Sequence, residues 1–200
     1  MIIGLSGYAK SGKDTVAEMI QAIEPMQWEI KKFSGKLKQI ASLLTAIPIE
    51  KFEDQEFKMS ELSHEWDYLV PSYGYMDMQA MTVREFLQRL GTDAVRDGLH
   101  PNAWVNALFA DYNPIRPDRL PYTHPNWVVT DVRFPNEAKS IKERGGIIVR
   151  VHRPEIKPVN PHVSEIALDK WAFDYIITND SDLDYLKESV QNFLKNKIND

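Results

Sequence analysis

Short apolar runs rich in β-branched residues alternate with amphipathic segments along most of this 200-residue chain. The runs predict five strands, at residues 2–5, 28–33, 127–130, 147–151 and 175–177. Apolar positions three and four residues apart predict helices from residue 13, over 36–44, from 83, from 101, over 135–144 and over 182–198. This alternation predicts an α/β fold in which helices cover a five-stranded, mostly parallel sheet.

Residues 45–80 interrupt the alternation, because they are acidic, rich in aromatic side chains and irregular in pattern. They indicate an insertion rather than another strand–helix–strand unit. Downstream, Thr82 and Glu85 have the spacing of a capping box at a helix start, and Gly91 is expected to end that helix.

Composition narrows the classes of partner. A net charge of −5 argues against a broad nucleic-acid-binding surface, and the absence of cysteine excludes disulfides and thiolate chemistry. No apolar run approaches about 18 residues, and we expect no signal peptide. We therefore expect a cytoplasmic protein that binds neither nucleic acid nor membranes, and a homodimer is compatible with the sequence. Any anionic ligand must be held by a local cluster of lysine and arginine.

The strongest motif is the segment Gly-Tyr-Ala-Lys-Ser-Gly-Lys-Asp-Thr at residues 7–15, between the first strand and the first helix. A Gly-x-x-x-x-Gly-Lys turn in this context is typical of a P-loop, whose backbone N–H groups and helix N-terminus bind phosphates. The alternative is a glycine-rich turn that only starts a helix. The expected ATP-binding residues are Gly7, Lys10, Ser11, Gly12, Lys13, Asp14 and Thr15.

Asp14 departs from the usual P-loop pattern, because most P-loops have there the Ser or Thr whose hydroxyl meets Mg²⁺. Thr15 follows it, and kinases of the adenylate kinase type have their hydroxyl at this later position. Both residues stay candidates for contact with the metal.

Ligands of an open parallel sheet bind beyond the carboxyl ends of its strands. Asp131 follows the third predicted strand, where a carboxylate holds Mg²⁺ directly or through water; the alternative is a helix cap near Pro135. Arg133 and Arg153 follow two strands and are expected to join Lys13 in neutralising a phosphoryl group in transfer. The alternative for Arg133 is a surface ion pair.

A second cationic site is indicated further along the chain. Lys36 and Lys38 lie at a helix start, where cations are unfavourable unless an anion binds there. Arg84 and Gln88 are four residues apart on one helix face. Arg84 can hold a monophosphate with two parallel hydrogen bonds, and Gln88 can pair with the edge of a base.

The chain resembles the bacteriophage deoxynucleoside monophosphate kinases. The resemblance lies in the Gly-Lys-Asp-Thr P-loop, residues 84–93, 104–110, 130–133, 151–154, 162–165 and 177–180, and is weakest over 45–80. It implies an adenylate-kinase-like, three-layer P-loop fold, and Mg²⁺-dependent transfer of the ATP γ-phosphoryl group to a small-molecule dNMP. It implies one domain over residues 1–200, with 34–112 as the monophosphate-binding subdomain and 153–165 as a lid-like loop. The implied substrate-binding residues are Lys38, Arg84, Gln88, Thr92 and Trp104.

Two other functions stay open. Animal phosphomevalonate kinases have a similar Gly-Lys-Asp P-loop, so the acceptor could be another phosphorylated metabolite. A nucleotide-binding switch or ATPase without a small acceptor is the other alternative. That class gives no reason for a second cationic site at Lys38 and Arg84.

Overall fold

The computed structural model describes residues 1–23, 28–115, 124–157 and 166–198. The chain divides into two compact units, one formed by Met1–Phe33 and Val105–Asp200 and the other by Ser34–Trp104. The described strands are β1 (Ile2–Ser6), β2 (Trp28–Lys31), β3 (Tyr68–Ser72), β4 (Tyr75–Gln79), β5 (Asn126–Val129), β6 (Ile147–His152) and β7 (Tyr175–Thr178). The helices are α1 (Lys13–Ile23), α2 (Ser34–Thr45), α3 (Val83–Gln88), α4 (Ala103–Phe109), α5 (Pro135–Lys142) and α6 (Leu183–Ile198).

The first unit contains a five-stranded sheet in the order β2-β5-β1-β6-β7. Every pairing between these strands is parallel, so the predicted five-stranded α/β sheet is confirmed. Parallel neighbours need crossover connections, and helices such as α1, between β1 and β2, and α5, between β5 and β6, belong to these connections. Because β1 is the central strand, the glycine-rich segment that follows it emerges in the middle of the carboxyl edge of the sheet.

Alternating side chains of the strands form an apolar layer on each face of the sheet. On one face, Leu5 packs in a cluster with Ile20 of α1 and Phe193 of α6. On the other face, Ile2 packs in a cluster with Ile141 of α5. Each fully buried aliphatic or aromatic side chain stabilises the fold by about 1.5–3 kcal/mol. The result is the predicted three-layer arrangement, with a rigid sheet that fixes the positions of its strand ends.

The second unit has its own small core, in which Ala41, Phe52, Val83 and Phe86 are buried. Trp66 meets Phe86 edge to face at 4.7 Å between ring centroids. The expected cap of α3 is confirmed, because the Thr82 side chain accepts a hydrogen bond from the Glu85 N–H at 3.2 Å.

The expectation that Gly91 ends this helix is wrong, because the chain continues as a π-helix over Arg89–Asp97. A Cβ at Gly91 would lie 2.9 Å from Cδ2 of Leu37, so this glycine permits close packing against α2. Its carbonyl also accepts a hydrogen bond from the Trp104 indole at 2.8 Å.

Residues 45–80 are an insertion, but they are more regular than predicted. Three short 3₁₀ turns, Ile49–Glu53, Phe57–Met59 and His64–Trp66, precede an antiparallel hairpin of β3 and β4. Tyr73 and Gly74 both have positive φ values in its two-residue turn. All of β4 is exposed, so no alternation of buried and exposed residues marked it in the sequence.

The apolar positions that predicted α2 are only partly buried, so the prediction of one buried face is partly wrong. Ala41 is buried, whereas Ile40 and Leu44 are exposed. The cap and length of a helix can be predicted locally, but the width of its buried face depends on what the neighbouring elements cover.

Candidate nucleotide-binding site

The segment after β1 has the backbone of a phosphate-binding loop. Gly12 has a φ of +101°, and a Cβ there would lie 2.6 Å from the Asn179 amide nitrogen. A Cβ at Gly7 would lie 2.5 Å from the carbonyl oxygen of Val151. Lys10 also adopts the left-handed region, with a φ of +64°. Both glycines are therefore required by space and conformation.

Lys13 is the best-defined cation of this loop. Its Nζ donates hydrogen bonds to the carbonyl oxygens of Gly7 at 2.9 Å and Tyr8 at 2.8 Å. Its pKa is lowered to about 8, first by burial and then by the positive charge of Arg133. Arg150 lowers this pKa further, while Asp14 and Asp131 oppose the shift. The positive charges that meet at this point repel one another, and a bound polyphosphate would offset this repulsion.

Two buried hydroxyl groups, one in the loop and one at the adjacent strand end, have no hydrogen-bond partner among the described residues. Ser11 Oγ and Thr130 Oγ1 make no hydrogen bond to any described residue. Both side chains are almost fully buried. Orphaned buried hydroxyls in a phosphate-binding loop fit an oxygen-rich ligand, since a phosphate oxygen or a metal-bound water would satisfy them.

A cleft of about 880 Å³ opens beside the loop. It brings together predicted residues from the P-loop and from the end of β6, namely Lys10, Gly12, Lys13, Asp14, Thr15 and Arg153. Within the described residues, Arg153 makes a long ion pair of 3.8 Å with Glu155, and such a pair is worth little at a surface. Gly7 and Arg133 line a separate small pocket that also reaches Lys13. Residues 158–165 of the predicted lid-like loop lie outside the described residues.

Asn179 is a cleft residue that the sequence reasoning missed. Its side-chain amide donates to the Ser11 carbonyl at 2.9 Å, and its backbone N–H donates to the His152 carbonyl at 2.7 Å. It therefore ties the end of β7 to the phosphate loop. The available signal was its position two residues after the fifth predicted strand, at the edge of the sheet where ligands bind.

Asp131 lies at the end of β5, as predicted, but one of its oxygens has a structural task. Its Oδ1 accepts the Phe33 N–H at 2.7 Å, which joins the ends of β2 and β5. The alternative of a helix cap is wrong, because Phe134 is the N-cap of α5. Glu137 instead accepts the N–H groups of Arg133 and Phe134, at 2.8 and 3.1 Å.

Asp14 is paired with a lysine that the sequence reasoning did not consider. Lys32 Nζ lies 3.2 Å from Asp14 Oδ1, whose side chain is 66% exposed. Partial desolvation opposes a lower pKa for Asp14, but the charges of Lys32 and Lys13 prevail and hold it below its usual range. The Thr130 hydroxyl contributes to this shift from nearby, outside hydrogen-bond geometry. Asp14 is therefore ionised at neutral pH, with Lys32 as its principal partner.

The predicted acceptor residues all belong to the second unit and have different surroundings. Lys38 is only 7% exposed and forms a 2.6 Å ion pair with Glu53. Trp104 is buried, with its indole N–H bound to Gly91. Arg84 and Gln88 are exposed on α3, and Thr92 is half-buried in the π-helix. Arg84 makes no hydrogen bond or ion pair within the described part of the chain.

A central parallel strand, a glycine-rich turn and a lysine bound by the carbonyls of that turn define a P-loop nucleotide-binding protein. The chain belongs to the deoxynucleotide monophosphate kinase family, which it matches over residues 30–190. The P-loop itself precedes the matched range. Membership confirms the family predicted from the residues, and implies an ATP-using kinase with a small nucleotide as its substrate.

Individual relatives are only moderately similar. A relative in Acanthamoeba polyphaga mimivirus, which carries the family name provisionally, is 28% identical over 92% of this chain and 91% of its own. The deoxynucleotide monophosphate kinase of Enterobacteria phage T4 is 30% identical over 57% of this chain and 46% of its own. The solved structure of dephospho-CoA kinase from Campylobacter jejuni aligns with 98% of this chain and 96% of its own, at 11% identity and a TM-score of 0.47.

Two further properties concern the described residues alone. None of their helices is long and apolar enough to cross a membrane. Within the same residues, no three His, Asp or Glu side chains cluster as a metal site. Mg²⁺ does not need such a cluster, since it is commonly held by one or two carboxylates together with substrate phosphates and water.

Proposed function

We propose that this protein transfers the γ-phosphoryl group of ATP to a deoxynucleoside monophosphate, giving a deoxynucleoside diphosphate and ADP. The observation that carries the proposal is the convergence of Lys13, Arg133 and Arg150 at a P-loop in a chain of this family. Catalysis then consists of positioning and charge neutralisation. The acceptor is a phosphate oxygen that is already ionised, so the reaction needs no general base.

Lys13 and Arg133 are the proposed groups that neutralise the phosphoryl group, with Arg153 as a further cation from the cleft wall. Mobile water would have to reorganise as charge moves during transfer, whereas these groups are held by the fold. Lys13 is fixed by two carbonyls, and the backbone N–H of Arg133 is fixed by Glu137.

The oxygen-rich residues at the strand ends fit Mg²⁺. We propose that Asp131 holds the ion directly or through water and that Thr15 contacts it from the P-loop. Asp14 has a lysine as its neighbour, which weakens it as a direct ligand. When bound, the ion would offset the negative charge of the phosphate groups.

Asp131→Asn is expected to raise the Mg²⁺ concentration for half-maximal activity by about tenfold. The thermal midpoint should stay close to that of the wild type, because the Asn oxygen can still accept the Phe33 N–H. Activity measured across a Mg²⁺ titration, with thermal unfolding alongside, checks both. Asp131→Ala is the matched variant, and it should also lose stability. An unchanged Mg²⁺ dependence in the Asn variant would show that Asp131 joins the ends of β2 and β5 and does not hold the ion.

We propose that Arg84 binds the phosphate group of the acceptor monophosphate. Gln88 and Thr92 then contact its base and sugar. Arg84 is the exposed guanidinium of α3. Lys38 contributes less charge to this site, because Glu53 already neutralises much of it. Trp104 supports the site by fixing the backbone at Gly91, next to Thr92.

A coupled ADP-release assay tests the function. ATP is supplied with each dNMP, each ribonucleoside monophosphate and phosphomevalonate in turn, and at least one dNMP should strongly stimulate ADP release. Stimulation by phosphomevalonate alone would instead identify a kinase of another phosphorylated metabolite. Slow hydrolysis that no acceptor stimulates would identify a switch or ATPase.

A further inference from the structure

The side chain of Tyr8, the first residue inside the P-loop, is held by groups from outside the loop. Its hydroxyl donates a hydrogen bond to Asp169 Oδ2 at 2.9 Å. The Arg150 guanidinium carbon lies 4.5 Å from the centre of the Tyr8 ring. Arg150 also donates to Asp169 Oδ1 at 3.0 Å, so one carboxylate binds both the tyrosine and the arginine. We name Tyr8, Arg150 and Asp169 the Tyr8 clamp.

Arg150 is rigidly placed for this contact. It lies on β6, beside the central strand, with its side chain 11% exposed. Phe173 covers the guanidinium at 5.5 Å, and Ser6 Oγ lies 3.5 Å from one of its nitrogens. A nearly buried guanidinium needs a carboxylate partner, and Asp169 supplies it. Arg150 thus anchors the clamp to the sheet.

The backbone of Tyr8 carries two contacts of the phosphate loop. Its carbonyl oxygen accepts from Lys13 Nζ at 2.8 Å and from the Ser11 N–H at 3.1 Å. A shift of Tyr8 would therefore move the acceptor that orients Lys13 and would also reshape the turn. A displacement of about 1 Å at a reacting centre is enough to reduce catalysis severely.

We propose that Arg150 and Asp169 are positioning residues for ATP, acting through Tyr8 on the P-loop backbone and Lys13. The inference rests on the proposed function, since it assigns these groups to the phosphate site of the same reaction. It goes further by making the affinity for ATP depend on side chains that need not touch the nucleotide. The competing role is a purely structural ion pair of the sheet.

Tyr8→Phe separates the two roles, because it removes one hydroxyl and keeps the ring against Arg150. We expect the Kd for ATP to rise by about three- to tenfold, the loss of one partly exposed hydrogen bond to a charged group. The KM for the dNMP and the thermal midpoint should stay at wild-type values. Tyr73→Phe, at a fully exposed tyrosine of the hairpin turn, is the matched control and should change none of these values.

A double-mutant cycle tests whether the hydroxyl acts through Asp169. In an Asp169→Ala background, Tyr8→Phe should cause no further rise in the Kd for ATP. Asp169→Asn retains an oxygen acceptor and should lose less affinity than Asp169→Ala. If the alanine variant does not fold, Tyr8→Phe and Asp169→Asn complete the test by themselves.

Three results would overturn the clamp: an unchanged Kd for ATP in Tyr8→Phe, equal losses for ATP and dNMP, or fully additive effects in the cycle. A wild-type protein that phosphorylates a dNMP while Tyr8→Phe binds ATP normally refutes the clamp and leaves the proposed function intact. A wild-type protein that binds no ATP refutes both.

Discussion

Lys13→Met is expected to lower kcat by about a hundred- to a thousandfold, the usual effect of removing one charge-stabilising donor from the reacting centre. An ammonium group has three donors, and Gly7 and Tyr8 accept from two of them. These hydrogen bonds fix the position of the ammonium group. It therefore needs to move little when negative charge develops on the oxygens of the group in transfer. Methionine keeps most of the aliphatic stem and removes only the ammonium group.

The measurement is steady-state ADP release at saturating ATP and dNMP, together with thermal unfolding. Lys139→Met is the matched control, because Lys139 is 74% exposed and its ion pair with Glu143 is long, at 3.8 Å. The control should keep its wild-type kcat. A Lys13→Met enzyme with a kcat within a few-fold of wild type and a normal unfolding midpoint would contradict the P-loop assignment.

The sheet and the phosphate loop could be predicted because their signals are local. Five runs of β-branched residues gave the five strands of the parallel sheet, and their ends differ from the prediction by only a few residues. The P-loop needs a fixed spacing of glycines and a lysine, which can be counted directly in the sequence. Asp131 was found by the same logic, since it follows a buried strand.

Other features depend on partners that are distant in sequence. Phe33 and Asp131 are 98 residues apart, and nothing in either segment indicates that one accepts the backbone N–H of the other. Arg150 was visible as a charge on a strand, but its role follows from Asp169 and from the ring of Tyr8. Gly91 was misinterpreted because a glycine that permits helix contact has the same local pattern as one that ends a helix.

Lys38 shows the same limit at the predicted acceptor site. The unfavourable position of its charge near a helix start indicated a bound anion, yet that argument could not reveal Glu53 as the partner. Glu53 lies in the insertion, whose irregular pattern hid both its 3₁₀ turn and its hairpin. In the proposed acceptor site, Arg84 is therefore the main phosphate-binding residue, rather than Lys38.

Arg84→Lys is expected to raise the KM for the dNMP by about tenfold to a hundredfold while leaving the KM for ATP nearly unchanged. Lysine keeps the positive charge but loses the planar pair of donors, so the substitution tests geometry as well as sign. Losing one charge-assisted hydrogen bond costs about 1.5–3 kcal/mol, which corresponds to this range of affinity. Because Arg84 is exposed and has no partner within the described residues, its replacement should not disturb the fold.

Steady-state kinetics with each substrate varied in turn, and thermal unfolding as the fold control, check this expectation. Arg84→Ala should lose more dNMP affinity than Arg84→Lys, because it removes both the positive charge and the planar pair of donors. Some of the loss can fall on kcat, since a misplaced acceptor oxygen spoils the in-line approach to the γ-phosphorus. Unchanged dNMP kinetics, or an equal loss for ATP, would exclude Arg84 from the acceptor site. A selective loss for the dNMP is what a two-substrate kinase requires and what a nucleotide switch, having no small acceptor, could not show.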